Sequence, residues 1–251
     1  MFNKFPPLVF FDLEGTLLQK CYRLDNSKVA PSAWTVLAES LGERCLLEEE
    51  ETKDKWNRGE YAGYVEWMRD TIRIHKKYGL TRDMFDRVMT SVEFMPGVES
   101  AFSELRAAGV ITALISGGMK ALGDRAQRLL GIDHAMCACE YFFGDDGLIQ
   151  HFNLLPSDEK GKIRFMELIA EEHGIDPQYC AFVGDGKNDV PLARSVGFSI
   201  AFNAQAELQQ ACTTAIVQLP GAEDFREVVL RLAVPKVPTE VSGAANRITK
   251  T

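Results

Sequence analysis

No stretch of this chain is apolar for long enough to cross a membrane or to serve as the core of a secretion signal. One lysine and two prolines precede a short apolar run, Leu8 to Phe11, which falls far below either requirement. A basic patch is also missing. The formal net charge is −8, and binding to nucleic acid or an anionic membrane needs a concentration of Lys and Arg that the sequence does not provide. No C-x-x-C pair offers zinc spacing. The histidines, His75, His134, His151 and His173, have no ligand spacing either and read as surface or packing residues. Six scattered cysteines in a chain of 251 residues read as reduced thiols in a cytosol. Cys137 and Cys139, the only close pair, read as packing residues of a strand. Neither an internal repeat nor a low-complexity tract is visible. These absences lead us to expect a cytoplasmic protein whose partner is a small molecule, with no nucleic acid and no membrane. They leave its oligomeric state open.

What is present is an alternation of strands and helices. Leu8-Val9-Phe10-Phe11-Asp12 is apolar up to its last residue and stops at Glu14-Gly15-Thr16, as a strand buried on both faces does. Val110 to Ile115 ends at Ser116-Gly117-Gly118, and Cys180 to Val183 ends at Gly184-Asp185-Gly186. Phe198 to Phe202 and Ala215 to Val217 are weaker strand candidates. Helices are expected from Pro96-Gly97 to Ala108 and from Ser157-Asp158 to His173, and a β-hairpin within Glu140 to Phe152. The pattern predicts a doubly wound, Rossmann-like parallel α/β sheet. Residues 20–95 carry no strand-like run and hold all three tryptophans, Trp34, Trp56 and Trp67, so they read as an inserted helical lobe. The expected organisation is a core of 1–19 and 96–234, a helical cap of 20–95, and a loose tail from 235 to 251.

In such a sheet functional groups gather at the carboxyl ends of the strands. Asp12 and Glu14 lie two apart in an extended segment and point to the same side, while Asp185 and Asp189 follow a later strand. Four acids converging at one sheet edge repel one another unless a cation or a shared proton compensates them. A hard divalent ion with oxygen ligands is the natural answer, and Mg2+ fits because it binds a few carboxylates together with substrate phosphate.

Together these segments resemble the haloacid dehalogenase superfamily of phosphatases, and within it the phosphoserine phosphatase-like branch with a helical cap. The motifs that carry the resemblance are Asp12-Leu13-Glu14-Gly15-Thr16, Leu114-Ile115-Ser116-Gly117-Gly118, Glu159-Lys160-Gly161 and Gly184-Asp185-Gly186-Lys187-Asn188-Asp189. The resemblance implies hydrolysis of a small phosphorylated metabolite through a phosphorylated aspartate. Asp12 is the expected nucleophile, Glu14 the acid and then the base, and Lys160 a fixed positive charge. Lys162 is the competing candidate for that lysine. The phosphate is expected on Ser116, Gly117, Gly118 and Asn188, at what should be a helix N-terminus. The metal is expected on Asp12, the backbone carbonyl of Glu14, Asp185 and Asp189, the last either supporting the metal or orienting the lysine.

The sequence departs from the pattern in two places. Most relatives carry aspartate where Glu14 stands. The residues after Thr16, Leu17 to Cys21, contain no acid to meet a substrate amine. In the insert, Arg69 and Arg73 are expected to pair with Glu66 or Asp70, and Trp56, Tyr64 and Trp67 to form helical core. The alternatives are a phosphotransferase using the same residues and a non-enzymatic phosphate-ligand-binding module. A carbon–halogen hydrolase would need neither the metal nor Glu14, and serine catalysis at Ser116 lacks its elbow motif and its paired histidine.

Overall fold

The structure, a computed structural model, describes residues 4–233, so the expected tail from 235 to 251 lies outside the described residues. The chain runs β1 (Leu8–Phe11), α1 (Ala33–Ser40), α2 (Glu43–Asn57), α3 (Tyr64–Lys77), α4 (Arg82–Ser91), α5 (Val98–Ala107), β2 (Ile111–Met119) and α6 (Lys120–Leu130). It continues through β3 (His134–Phe143), β4 (Ile149–Leu154), α7 (Lys160–Glu172), β5 (Cys180–Gly184), α8 (Val190–Ala193), β6 (Phe198–Phe202), α9 (Ala206–Ala211), β7 (Thr214–Ile216) and α10 (Arg226–Leu232). Among these residues no helix is long and apolar enough to cross a membrane.

The seven strands form one sheet in the order β4-β3-β2-β1-β5-β6-β7. Every pairing is parallel except β3 with β4, which is the expected hairpin. β1 lies at the centre, between β2 and β5, where the winding direction reverses and the carboxyl ends open a crevice. Its alternating side chains feed two cores. Leu8 and Phe10 pack with Met166, Ile169 and Leu192 on one face, and Val9 and Phe11 with Phe102, Leu105 and Phe225 on the other. The Phe11 and Phe102 rings lie 4.9 Å apart. Cutting such a fully buried phenylalanine back to alanine costs about 3–5 kcal/mol. The continuous apolar run of β1 therefore serves a strand covered on both sides.

Helices α1 to α4 fall between β1 and α5, with α1 packing on α2 and α4, and α2 on α3. Amphipathic spacing drives α3, whose Met68, Thr71, Ile72 and His75 line its buried face. Thr81 caps α4 by accepting from the Met84 amide.

One boundary differs from the sequence expectation in a way that matters below. β2 does not end at Ile115: it runs on through Ser116-Gly117-Gly118 to Met119, and α6 begins only at Lys120. The reason is the neighbouring strand. β3 pairs with Ser116 and again with Met119 across a register shift, so the ladder holds a segment that two glycines mark locally as a turn.

Candidate active site

The crevice floor begins at Asp12, the first residue beyond β1, whose amide donates to the Val183 carbonyl at 2.9 Å. The chain then turns through Gly15, which has φ +91° and whose added Cβ would collide with the Asp185 carboxylate. Both conformation and space require glycine there. Asp12 Oδ1 accepts from Lys162 Nζ at 2.6 Å, and the same ammonium donates to Asp189 Oδ1 at 2.6 Å. Asp189 Oδ2 accepts from the amides of Asp185 and Gly186 at 3.2 and 3.0 Å, which fixes the loop after β5. Asp185 Oδ2 in turn accepts from Lys20 Nζ at 2.6 Å.

Carboxylate oxygens of Asp12, Asp185 and Asp189 all lie within 4.8 Å of one another, and all three residues are buried. This oxygen-only donor set suits a hard divalent cation. Asp189 has already committed both oxygens to Lys162 and to backbone amides. Among the described residues no hydrogen bond engages Asp12 Oδ2 or Asp185 Oδ1, so Asp12 and Asp185 have capacity to spare.

Ser116, Gly117 and Gly118 edge the same crevice. Ser116 Oγ accepts from the Gly118 amide at 3.1 Å, and the Ser116 carbonyl accepts from Ser157 Oγ at 2.7 Å. Asn188 Nδ2 donates to Asp158 Oδ1 at 2.7 Å. The inserted helices close the other side. Glu14 Oε2 accepts from the Ala33 amide, in the first turn of α1, at 2.6 Å. Tyr64 and Trp34 both donate to the Gly117 carbonyl, at 2.6 and 3.3 Å. Between floor and insert lies a cavity of about 160 Å³ lined by Asp12, Glu14, Lys20, Ser116, Asp185 and Asn188 below and by Trp34, Glu49, Tyr64 and Trp67 above. A void of that size takes a molecule of roughly benzene bulk.

Burial sets the electrostatics. Without a cation, desolvation raises the Asp12 pKa well above the carboxylate range. Lys162 opposes the rise, and Asp189 and Asp185 add to it. Asp185 moves the same way, by burial against the pull of Lys20, and Glu14 by burial against the Ala33 amide and Lys20. Burial alone would lower the Lys162 pKa, but Asp12, Asp189 and Asp158 outweigh it and keep the ammonium charged.

The sequence expectations require three corrections. Lys160 is exposed at the start of α7, and the lysine that reaches Asp12 is Lys162. Two residues on a helix stand about 200° apart around its axis, so only one of the pair can face the floor. The phase is set by Gly161, where any Cβ would strike the Pro156 carbonyl, and by Glu159, held at φ +47° immediately before the helix. Second, Ser116 to Gly118 belong to a strand rather than a helix N-terminus. The Glu14 carboxyl, expected as the acid and base rather than as a metal ligand, is held by α1. Third, Tyr64 and Trp67 line the cavity instead of filling only the helical core, although Trp67 stacks on Trp56 at 4.9 Å. Arg73 pairs with Asp70 at 2.6 Å, as expected. Cys137 and Cys139 are unpaired thiols buried in β3.

Lys20, Glu49 and Asp158 entered no sequence expectation. Lys162 had a readable signal: it shares the buried stripe of α7 with Met166, Ile169 and Ala170. Lys20 had none.

Residues 6–197 match the family model described as haloacid dehalogenase-like hydrolase. A protein of Archaeoglobus fulgidus named phosphoserine phosphatase is 29% identical over 221 residues, covering 86% of this chain and 58% of that protein, so the chain spans little more than half of that relative. A protein of the same name from Idiomarina loihiensis is 28% identical over 80% of this chain and 84% of its own length. Among solved structures, a substrate-bound phosphoserine phosphatase complex superposes with a TM-score of 0.70 at 22% identity, covering 90% of this chain and 97% of that one. It shares the fold.

Proposed function

The chain belongs to the haloacid dehalogenase-like hydrolase family, and on that premise we propose that it is a metal-dependent phosphatase that hydrolyses a small phosphomonoester through phosphorylated Asp12. The observation that carries this reading is the state of the Asp12 carboxylate: one oxygen is pinned by Lys162 and the other, beside the cavity, is unengaged among the described residues.

In the first step an Asp12 oxygen attacks phosphorus in line. The bond to the ester oxygen breaks with its electron pair leaving on that oxygen, which takes a proton from Glu14. In the second step Glu14 removes a proton from water, the water oxygen bonds to phosphorus, and the bond between Asp12 and phosphorus breaks. This releases inorganic phosphate and regenerates the carboxylate. The raised pKa of Glu14 suits a group that must be an acid first and a base second. Lys162 neutralises Asp12 and fixes its orientation, and Ser116 with the neighbouring backbone receives the phosphoryl oxygens.

Asp12 and Asp185 would hold Mg2+, which when bound supplies the positive charge that phosphoryl transfer requires. Asp189 acts behind them by holding Lys162 and the loop. We read helices α1 to α4 as a lid lobe, supported by the bonds from Trp34 and Tyr64 to Gly117, and a closed lid excludes bulk water. The unpaired cysteines support a cytoplasmic setting.

The test is a panel of phosphorylated metabolites, phosphoserine among them, assayed with magnesium against wild type and Asp12→Asn. Turnover of at least one ester is expected, reduced by about a thousandfold or more in the variant. Turnover that survives Asp12→Asn rejects the mechanism.

A further inference from the structure

One backbone carbonyl of the crevice, that of Gly117, accepts two hydrogen bonds from the insert: Tyr64 Oη on α3 donates at 2.6 Å and Trp34 Nε1 on α1 at 3.3 Å. Tyr64 comes this close because Gly117 has no side chain; a Cβ there would stand 2.7 Å from the hydroxyl. Burial, with Asp158 nearby, pushes the Tyr64 pKa well above the usual phenol value, so the hydroxyl keeps its proton and remains a donor.

The Gly117 carbonyl and the Gly118 amide belong to one planar trans peptide, so fixing the first aims the second in the opposite direction. That amide donates to Ser116 Oγ at 3.1 Å. A hydroxyl that accepts there still has one proton to give, and among the described residues no acceptor takes it. Ser116 lines the same cavity as Asp12, and its own carbonyl is tied to Ser157 Oγ at 2.7 Å. The result is an ordered chain: phenol to carbonyl, amide to serine oxygen, serine proton to the crevice. Hydrogen bonds joined in series polarise one another and strengthen together.

We propose that Tyr64 is a positioning residue that acts through the Gly117–Gly118 peptide to hold Ser116 as a hydrogen-bond donor toward a phosphoryl oxygen. The proposal rests on the reading of this cavity as a phosphomonoester site. It gives the insert a part in binding the phosphate as well as in enclosing the alcohol.

The test is a double-mutant cycle on the binding of inorganic phosphate to the magnesium-loaded protein, read by titration calorimetry with Tyr64→Phe, Ser116→Ala and the pair. Tyr64→Phe is expected to weaken phosphate binding by about fivefold or more, the worth of one hydrogen bond. In the Ser116→Ala background the same change is expected to cost less than about twofold, because the hydroxyl it serves is gone. A general loosening of the insert would cost the same in both backgrounds. Equal losses therefore overturn the proposal, as does unchanged affinity in Tyr64→Phe. Should Tyr64→Phe not fold, Trp34→Phe removes the second donor to the same carbonyl and takes its place in the cycle, with a loss of about twofold or more expected and none after Ser116→Ala. Turnover is read separately. Wild type that binds phosphate and hydrolyses no ester rejects only the phosphatase, and equal losses beside steady turnover reject only the role of Tyr64. No phosphate binding by wild type overturns the proposal whatever the turnover, and the phosphatase with it if no ester is hydrolysed.

Discussion

On the floor of the cavity the charges close on one another: Lys162 bridges Asp12 and Asp189, and Lys20 holds Asp185, each at 2.6 Å. On the wall supplied by α1 to α3, the rings of Trp34, Tyr64 and Trp67 stand beside the pair of Glu49 and Lys53. The floor is anchored in the centre of a seven-stranded sheet, and the wall in a helical insertion tied to it by Tyr64, Trp34 and Glu14. The contrast assigns different tasks to the two surfaces. A preorganised cluster of opposite charges is what phosphoryl transfer needs whatever the leaving group, because fixed charges need no reorganisation during reaction. Under the proposed function, the wall is the surface against which leaving groups would be told apart.

Glu14 joins the two surfaces and gives the sharpest way to break the comparison. It follows the Asp12 strand, yet its carboxyl is held by the first turn of the insert. Glu14→Gln is expected to lower kcat by about 10²–10⁴-fold, the usual worth of a positioned acid–base group. Because the Glu14 pKa is raised, the carboxyl stays protonated to higher pH than an ordinary glutamate, so the rate of the first step, in which Glu14 is the acid, should fall as pH rises through that value, read as the phosphoenzyme burst. The variant should lose that limb of the profile. A variant that keeps both rate and limb would place the acid elsewhere.

The next largest effect distinguishes the two lysines at the start of α7. Lys162→Met leaves Asp12 and Asp189 buried without their cation and should cost about 3–5 kcal/mol in stability, together with most of the activity. Lys160→Met changes an exposed residue and should stay within about 0.5 kcal/mol of wild type. Urea unfolding of both variants, each assayed for turnover, checks this. Equal effects would contradict the role of the floor.

A smaller effect concerns the acids that would hold the cation. Asp12 and Asp185 both have raised pKa values in the metal-free protein, so the folded state binds more protons than the unfolded state above the ordinary carboxylate range. Their contribution to stability is therefore present below the unfolded carboxylate pKa and is lost as pH rises through the raised folded values. Magnesium held by Asp12 and Asp185 would favour their charged forms and so oppose the shift that burial causes. The rise in Tm on adding it should accordingly be larger at about pH 7.5 than at about pH 5, measured by scanning calorimetry. An increment independent of pH would mean that the cation binds elsewhere.

The same division explains what was legible in the sequence. The floor is written locally: an apolar run ending in Asp12, another ending in Asp185, and Asp189 four residues on announce both the strands and the acids. Lys162 was harder because two lysines flank one glycine, and the choice between them depends on the phase of α7. That phase is set by the Pro156 carbonyl against Gly161, a contact between residues five apart that depends on how the chain enters the helix. The glycines of β2 misled because a turn signal is local, whereas the β3 ladder that overrides it arrives from residues about twenty positions later. The wall was least legible. Which face of an amphipathic helix meets a cavity rather than a neighbouring helix depends on how the insert packs, so Tyr64 and Trp67 read as core and Glu49 did not register.

The most direct measurement of the central claim is reductive trapping of the phosphoenzyme. Protein turning over an accepted ester with magnesium is quenched with borohydride, which reduces an acyl phosphate to an alcohol, and is then digested and sequenced by mass spectrometry. The account predicts homoserine at position 12, dependent on both ester and metal and absent in Asp12→Asn. An unmodified Asp12 during confirmed steady turnover, or phosphate found on Ser116 instead, would contradict it.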